Sequence, residues 1–291
     1  MDSNVWGNVT FNDLTQDAEK ALDVLIQQPE VDANDISVVG HSDSEGTTIA
    51  PRVAIDNPGK VDKIVLMAAV AQNYKELGYF QQVSLPILYA QQVLDHNHDG
   101  LISVQEASKN PVFGALVRPG NLTLLLTQNI TTANGTAKRL NPQYNTNNDT
   151  FISINDELKP KLIDQLKSLS VVKKGEKCNG LKGPCPIWLA SFYSSIPNLD
   201  IIGKVPSTTS ILIMQGKNDS LIPIQQAFLL QQKLTDLRHP DHTLLTYPNL
   251  GHSFYLSSQW LTGHGPIEQR VLEDLFGWLS NPVRDFKKLP S

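Results

Sequence analysis

Apolar residues recur at helical spacing over residues 12–28, where Leu14, Ala18, Ala21, Leu22 and Leu25 share one face. Pro29 and the acidic stretch from Asp32 to Asp35 end that pattern. Residues 36–40 (ISVVG) form a short β-branched run and predict a buried strand. Residues 45–57 predict a helix stopped by Pro58-Gly59, and residues 63–70 (KIVLMAAV) predict a second buried strand. Strand, helix and strand at this spacing imply a parallel sheet. The alternation returns near the C-terminus, with strands at 210–215 and 243–247, a helix at 225–234 and an amphipathic helix at 266–279. Residues 72–204 are rich in Asn, Thr, Gln and Gly and show no such alternation, which predicts a mostly helical insertion. The expected division is a core of residues 1–75 and 201–291 around an inserted cap of residues 76–200.

At 291 residues and 40% hydrophobic, the chain has ample material for a buried core. A net charge of -5 gives no basic surface, so no nucleic-acid partner is expected. The longest apolar run, residues 64–71, falls far short of the roughly 20 residues of a membrane helix, and no transmembrane segment is expected. The opening MDSNVWGNVTF lacks the charged and apolar regions of a signal peptide. Cys178 and Cys185 lie in KCNGLKGPCPIW, a spacing that closes a small disulfide loop worth roughly 2.5 kcal/mol; two free thiols are the alternative. With the N-x-S/T triplets at Asn8, Asn121, Asn129, Asn134, Asn148 and Asn218, they favour an oxidising compartment and a secreted or cell-surface location.

The turn after the first strand, VVGHSDSEGTTIAP, holds the sharpest chemical signal. A serine on a tight strand-to-helix turn needs small residues on either side, and the backbone N–H after it faces a developing oxyanion. Two serines fit. Ser44 has Ser42 before it and Gly46 after it, and is taken as the nucleophile with the Glu45 N–H as oxyanion donor. Ser42, preceded by Gly40-His41, is the alternative. A serine turn that only caps a helix is the bland reading. Two later segments add weight. ILIMQGKNDSLIP places Asp219 on the loop after one strand, and LLTYPNLGHSFY places His252 on the loop after the next. In a parallel sheet these strand ends meet at one edge. Imidazole takes the proton of a weakly nucleophilic serine, and a carboxylate fixes the imidazole's tautomer.

The elbow GHSDSEGTTIAP, the acid loop QGKNDSLIP and the base loop GHSFY, together with PIWLASFYSSIP and GPIEQRVLEDLFGWL, resemble the α/β-hydrolase family, and within it the carboxylesterases and lysophospholipase-like esterases. The resemblance covers residues 10–75 and 185–285. It implies an α/β fold with a mostly parallel sheet, hydrolysis of small carboxylic esters through an acyl-enzyme, and no cofactor for the chemistry. The chain departs from the family in two respects. The elbow is two residues longer than the family's GHSxGG, and several family strands would precede it. The second departure implies missing N-terminal strands and an upstream region of a longer precursor. The competing expectations are a non-catalytic calcium-binding scaffold with a decayed hydrolase core, or a serine peptidase or thioesterase using the same triad.

Within the insert, DHNHDGLISVQE at residues 95–106 has the ligand spacing of an EF-hand calcium loop. Asp95, Asn97 and Asp99 offer side-chain oxygens, Leu101 its carbonyl, Ser103 a direct or water-mediated contact, and Glu106 a bidentate carboxylate. Calcium is expected here as a structural ion. Residues 145–156 look like a degenerate copy, with Thr150 replacing the turn glycine and Asp156 at the closing position. That copy is either a metal-free partner loop or a second site, and Ile152 is expected to pair with Ile102. His96, His98, His239 and His242 read as ordinary loop histidines. Trp188, Phe192 and Tyr193 read as core, or as an acyl-pocket wall by the resemblance.

Overall fold

The computed structural model describes residues 9–42, 46–109, 115–117, 123–133, 135–170, 191, 194–260 and 265–281. The chain divides into two compact units, Met1–Tyr74 with Val172–Ser291, and Lys75–Val171. The first unit opens with α1 (Phe11–Leu25), set by a capping box. Asp13 N donates to the Thr10 hydroxyl at 3.2 Å, and Thr10 N donates to the Asp13 carboxylate at 2.7 Å. Then come β1 (Ser37–His41), α2 (Ile49–Asp56) and β2 (Lys63–Met67), in the expected order of strand, helix and strand, but β1 is not the buried strand expected, because it lies at the edge of the described sheet with only Gly40 buried.

The second unit begins with a long helical stretch. This comprises α3 (Tyr74–Tyr79), a π-helical turn (Phe80–Ser84), α4 (Leu85–Tyr89) and another π turn (Ala90–Leu94). It continues through β3 (Leu101–Ser103), α5 (Val104–Lys109), β4 (Ala115–Val117), β5 (Thr123–Leu125), β6 (Thr127–Thr132) and β7 (Gly135–Leu140). After β8 (Phe151–Ser153), a π turn (Ile154–Leu158) leads into α6 (Lys159–Ser170). Three antiparallel pairs form, β3–β8, β4–β5 and β6–β7. Leu77, Val83, Leu94, Ile102, Ile152 and Leu158 are among its buried residues. The described part of the insert is mostly helical, and an exception the sequence does not announce is the β6–β7 hairpin. Its Thr- and Asn-rich strands are largely exposed, so no apolar alternation marks them.

The chain returns to the first unit. There α7 (Asn198–Ile201) is followed by β9 (Ser210–Gly216), α8 (Gln225–Asp236), β10 (His242–Tyr247) and α9 (Gln269–Leu279). The insert ends before residue 200, because Asn198 is buried in the first unit. Its Nδ2 donates to the carbonyls of Thr47 and Val70 at 3.0 and 2.7 Å. The sheet order is β1-β2-β9-β10, all parallel. β2 and β9 are interior and wholly buried, which is why they read as unbroken apolar runs. Val65, Met67, Leu212 and Met214 cluster with Val271 of α9 on one face. Residues at the alternate positions, Ile64, Leu66, Ile211 and Ile213, are equally buried. The crossover helices α2 and α8 both pack against the sheet and against α7.

Lys63 at the start of β2 is 2% exposed. Its ammonium donates to Asp35 Oδ1 at 2.6 Å and to the Leu279 carbonyl at 2.8 Å. A cation there satisfies an orphan carbonyl at the C-terminus of α9 and fastens that helix to the sheet. Among the described residues no helix is long and apolar enough to cross a membrane.

Candidate active site

Ser42 follows directly on β1 with φ 69°, in the left-handed region that non-glycine residues rarely occupy. The turn beyond it closes on its carbonyl, which accepts from Thr47 N at 3.1 Å and from Thr47 Oγ1 at 2.7 Å. A bond from five residues on closes a ring one residue wider than an α-helical turn does. Gly40 and Gly46 face each other across that ring. A Cβ on Gly40 would overlap the Gly46 carbonyl, and a Cβ on Gly46 would overlap the His41 backbone.

The loops after β9 and β10 are joined to each other. Lys217 N donates to the Tyr247 carbonyl at 2.8 Å, and Asn218 N to the Leu250 carbonyl at 2.9 Å. Asn218 Nδ2 donates to the Ser257 carbonyl at 2.7 Å. A side chain at Gly216 would strike the backbone of Leu250 and Gly251, so glycine lets the two loops approach. On this support the Asp219 carboxylate is fully buried. Its Oδ1 accepts from Leu221 N at 2.9 Å and Ile222 N at 2.8 Å. Its Oδ2 accepts from Gln215 Nε2 and is 3.0 Å from His252 Nδ1. The other ring nitrogen, Nε2, is 2.7 Å from Ser42 Oγ. A continuous path thus runs from a carboxylate through an imidazole to a hydroxyl. The His41 ring lies beside it, 5.0 Å from that of His252, with Nε2 2.9 Å from the His252 carbonyl.

Ser44 and Glu45, expected as nucleophile and oxyanion donor, lie outside the described residues, as do Cys178, Cys185, Trp188, Phe192 and Tyr193. The described hydroxyl on His252 is that of Ser42, the alternative. Counting back from Gly46 selects Ser44. Gln215, on the acid's own strand and donating to it, carries no signal in the sequence. Asp95, Asn97, Asp99, Leu101 and Glu106 all lie in the second unit, in one loop. Among the described residues no three His, Cys, Asp or Glu side chains converge as a metal cluster. A calcium loop takes much of its oxygen from amides, hydroxyls and backbone carbonyls, so it is judged by its loop positions.

Parallel strands joined by crossover helices, a left-handed serine at one strand end, and an acid and an imidazole after later strands make this core a partial α/β-hydrolase fold. Residues 179–281, the stretch holding Asp219 and His252, match the prolyl oligopeptidase family. Against the curated proteins the sequence finds no match. Among solved structures, a monoacylglycerol lipase of Paleococcus ferrophilus aligns at 14% identity and a TM-score of 0.41, covering 94% of this chain and 76% of its own. A thermostable carboxyl esterase of Bacillus coagulans aligns at 13% and 0.45, covering 94% and 72%. Dipeptidyl peptidase 4 of Porphyromonas gingivalis aligns at 13% and 0.43, covering 94% of this chain but 23% of its own. The fold assignment rests instead on the strand order, the crossovers and the serine turn.

Proposed function

We propose that the chain is a serine hydrolase of small carboxylic esters, with Ser42 as nucleophile, His252 as base then acid, and Asp219 as the orienting carboxylate. The single observation that carries this reading is the 2.7 Å approach of Ser42 Oγ to His252 Nε2, with Asp219 on the far nitrogen. In this mechanism Oγ attacks the ester carbonyl while its proton passes to Nε2, and the C=O π bond opens to an oxyanion. The backbone N–H after the nucleophile stabilises that oxyanion, which moves the assigned donor from Glu45 to Asp43, a residue also outside the described ones. Collapse breaks the bond to the alkoxy group, which leaves as the alcohol with the proton from Nε2. Water then repeats the sequence on the acyl-enzyme and releases the acid. Asp219, held by two backbone amides and Gln215, keeps the imidazole hydrogen on Nδ1. Ester substrates are favoured by the resemblance of the elbow GHSDSEGTTIAP, which lies outside residues 179–281, to the carboxylesterases. The match of residues 179–281 to the prolyl oligopeptidase family supports a second reading, in which the same triad cleaves peptide bonds.

A fluorophosphonate probe on the full chain, followed by peptide mapping, tests the nucleophile. The expected label is on Ser42, and Ser42→Ala abolishes both labelling and release of p-nitrophenol from p-nitrophenyl acetate, while Ser44→Ala retains them. Label on Ser44, or activity surviving Ser42→Ala, refutes the assignment. Turnover of peptide p-nitroanilides in preference to the ester transfers it to the peptidase reading.

A further inference from the structure

The two polar loops of the second unit are built alike. β3 and β8 pair with Ile102 opposite Ile152, both fully buried, so residues 95–106 and 145–157 are joined along one short ribbon. In the first loop Glu106 Oε1 accepts from His96 N at 3.2 Å, and Oε2 accepts from Ser103 N at 2.9 Å. In the second loop the same bonds belong to Glu157. Its Oε1 accepts from Thr146 N at 2.7 Å and Oε2 from Ser153 N at 2.9 Å. Counted from Asp95 and from Asn145, the donors hold the same places in both loops, but the second glutamate stands one residue later. The π turn Ile154–Leu158 takes up that residue, where the first loop enters α5 directly. Asp156, expected as the closing residue, is exposed and accepts from Ser153 Oγ at 2.9 Å.

Asn145, at the head of the second loop, points to a ligand. It is 5% exposed, and its Nδ2 donates to the Asp149 carbonyl at 2.8 Å, which places the amide inside the loop. Its Oδ1 is buried and has no hydrogen-bond partner. Burying an acceptor unmet is unfavourable, and a hard cation is the partner such an oxygen suits in a loop of carboxylate, amide and hydroxyl groups. The corresponding oxygens of Asp95 accept from Asp99 N and Gly100 N at 3.1 and 2.9 Å.

We propose that residues 145–157 form a second calcium site, with Asn145 Oδ1, Asn147, Asp149, the Phe151 carbonyl, Ser153 and Glu157 as ligands, paired with a first site at residues 95–106. The second loop brings Asp149 and Glu157 where the first brings Asp95, Asp99 and Glu106, so it binds more weakly.

The test is calorimetric titration of the chelator-stripped full chain with calcium chloride. The expected result is one ion per loop, the weaker by about tenfold or more. Glu157→Gln removes the weaker event and keeps the tighter one, whereas Asp156→Asn keeps both. Asn145→Asp tightens the weaker event by about tenfold or more and raises the melting temperature only with calcium present. In a metal-free partner loop the added carboxylate would instead lower the melting temperature, and calcium would not restore it. Fewer than two ions bound by the unaltered chain, a weaker event that survives Glu157→Gln, or no tightening in Asn145→Asp overturns the second site.

Discussion

Replacing Asp219 by Asn changes one heavy atom, and the surrounding bonds fix which way the new amide lies. Oδ1 accepts from two backbone amides, Leu221 N and Ile222 N, so the amide oxygen must stay there. The NH2 group then takes the place of Oδ2, facing His252 Nδ1 and Gln215 Nε2. Gln215 can answer by rotating its own amide, because its Oε1 is buried with no partner. That rotation removes the donor from the Ile222 carbonyl, which Nε2 reaches at 3.0 Å, and costs about 1–2 kcal/mol of stability. The imidazole has no such remedy. Its Nδ1 must accept, so Nε2 carries the hydrogen and has no lone pair for the Ser42 proton. The expected loss in kcat is about 10,000-fold, or about 5 kcal/mol in the barrier. Initial rates on p-nitrophenyl acetate and the rate of fluorophosphonate labelling measure it, and a thermal melt shows that the variant is folded. A folded Asp219→Asn within tenfold of the unaltered rate would refute the role given to this carboxylate.

Burial holds the His239 imidazole below its ordinary value of 6.5. The unfolded chain therefore binds the proton first as pH falls below about 6.5, and stability declines from there downward. The melting temperature of the unaltered chain should drop more between pH 7.5 and 5.5 than that of His239→Gln, and parallel curves would contradict this. Lys63→Ala should cost about 3 kcal/mol in urea unfolding, through the space left under the sheet and the unmet Leu279 carbonyl. A change under 1 kcal/mol would show that the lysine does not fasten α9. Chelation should remove roughly 2.7 kcal/mol for each loop previously held at a hundredfold excess of calcium over its own Kd, while the initial rate of ester cleavage stays unchanged. A melting curve indifferent to chelator would argue against both loops.

The strands and helices of the parallel sheet are legible in the sequence because β2 and β9 are covered on both faces and must be apolar throughout. Asp219 is legible as a candidate because it falls just past such a run, His252 because it follows the half-buried edge strand β10, and the register of Ile102 on Ile152 follows from the matched loops. What escapes is whatever depends on how the backbone closes rather than on residue type. The contact of Ser42 with His252 joins loops far apart in the chain, which spacing alone does not reveal. Glu157 is hidden by a single residue stored in a π turn, which defeats any fixed-length pattern. The β6–β7 hairpin escapes because both its faces are largely polar, leaving periodicity nothing to detect.

The cross-links from Lys217 and Asn218 to the segment around His252 make the acid and the base a single mechanical part. Thermal fluctuation that pulled them apart would have to break several bonds at once. The serine segment meets that part through the ring itself and, one residue earlier, through His41 Nε2 beside the His252 carbonyl. Strain from heat or from a bulky acyl group would therefore be met by the acid and base loops moving together.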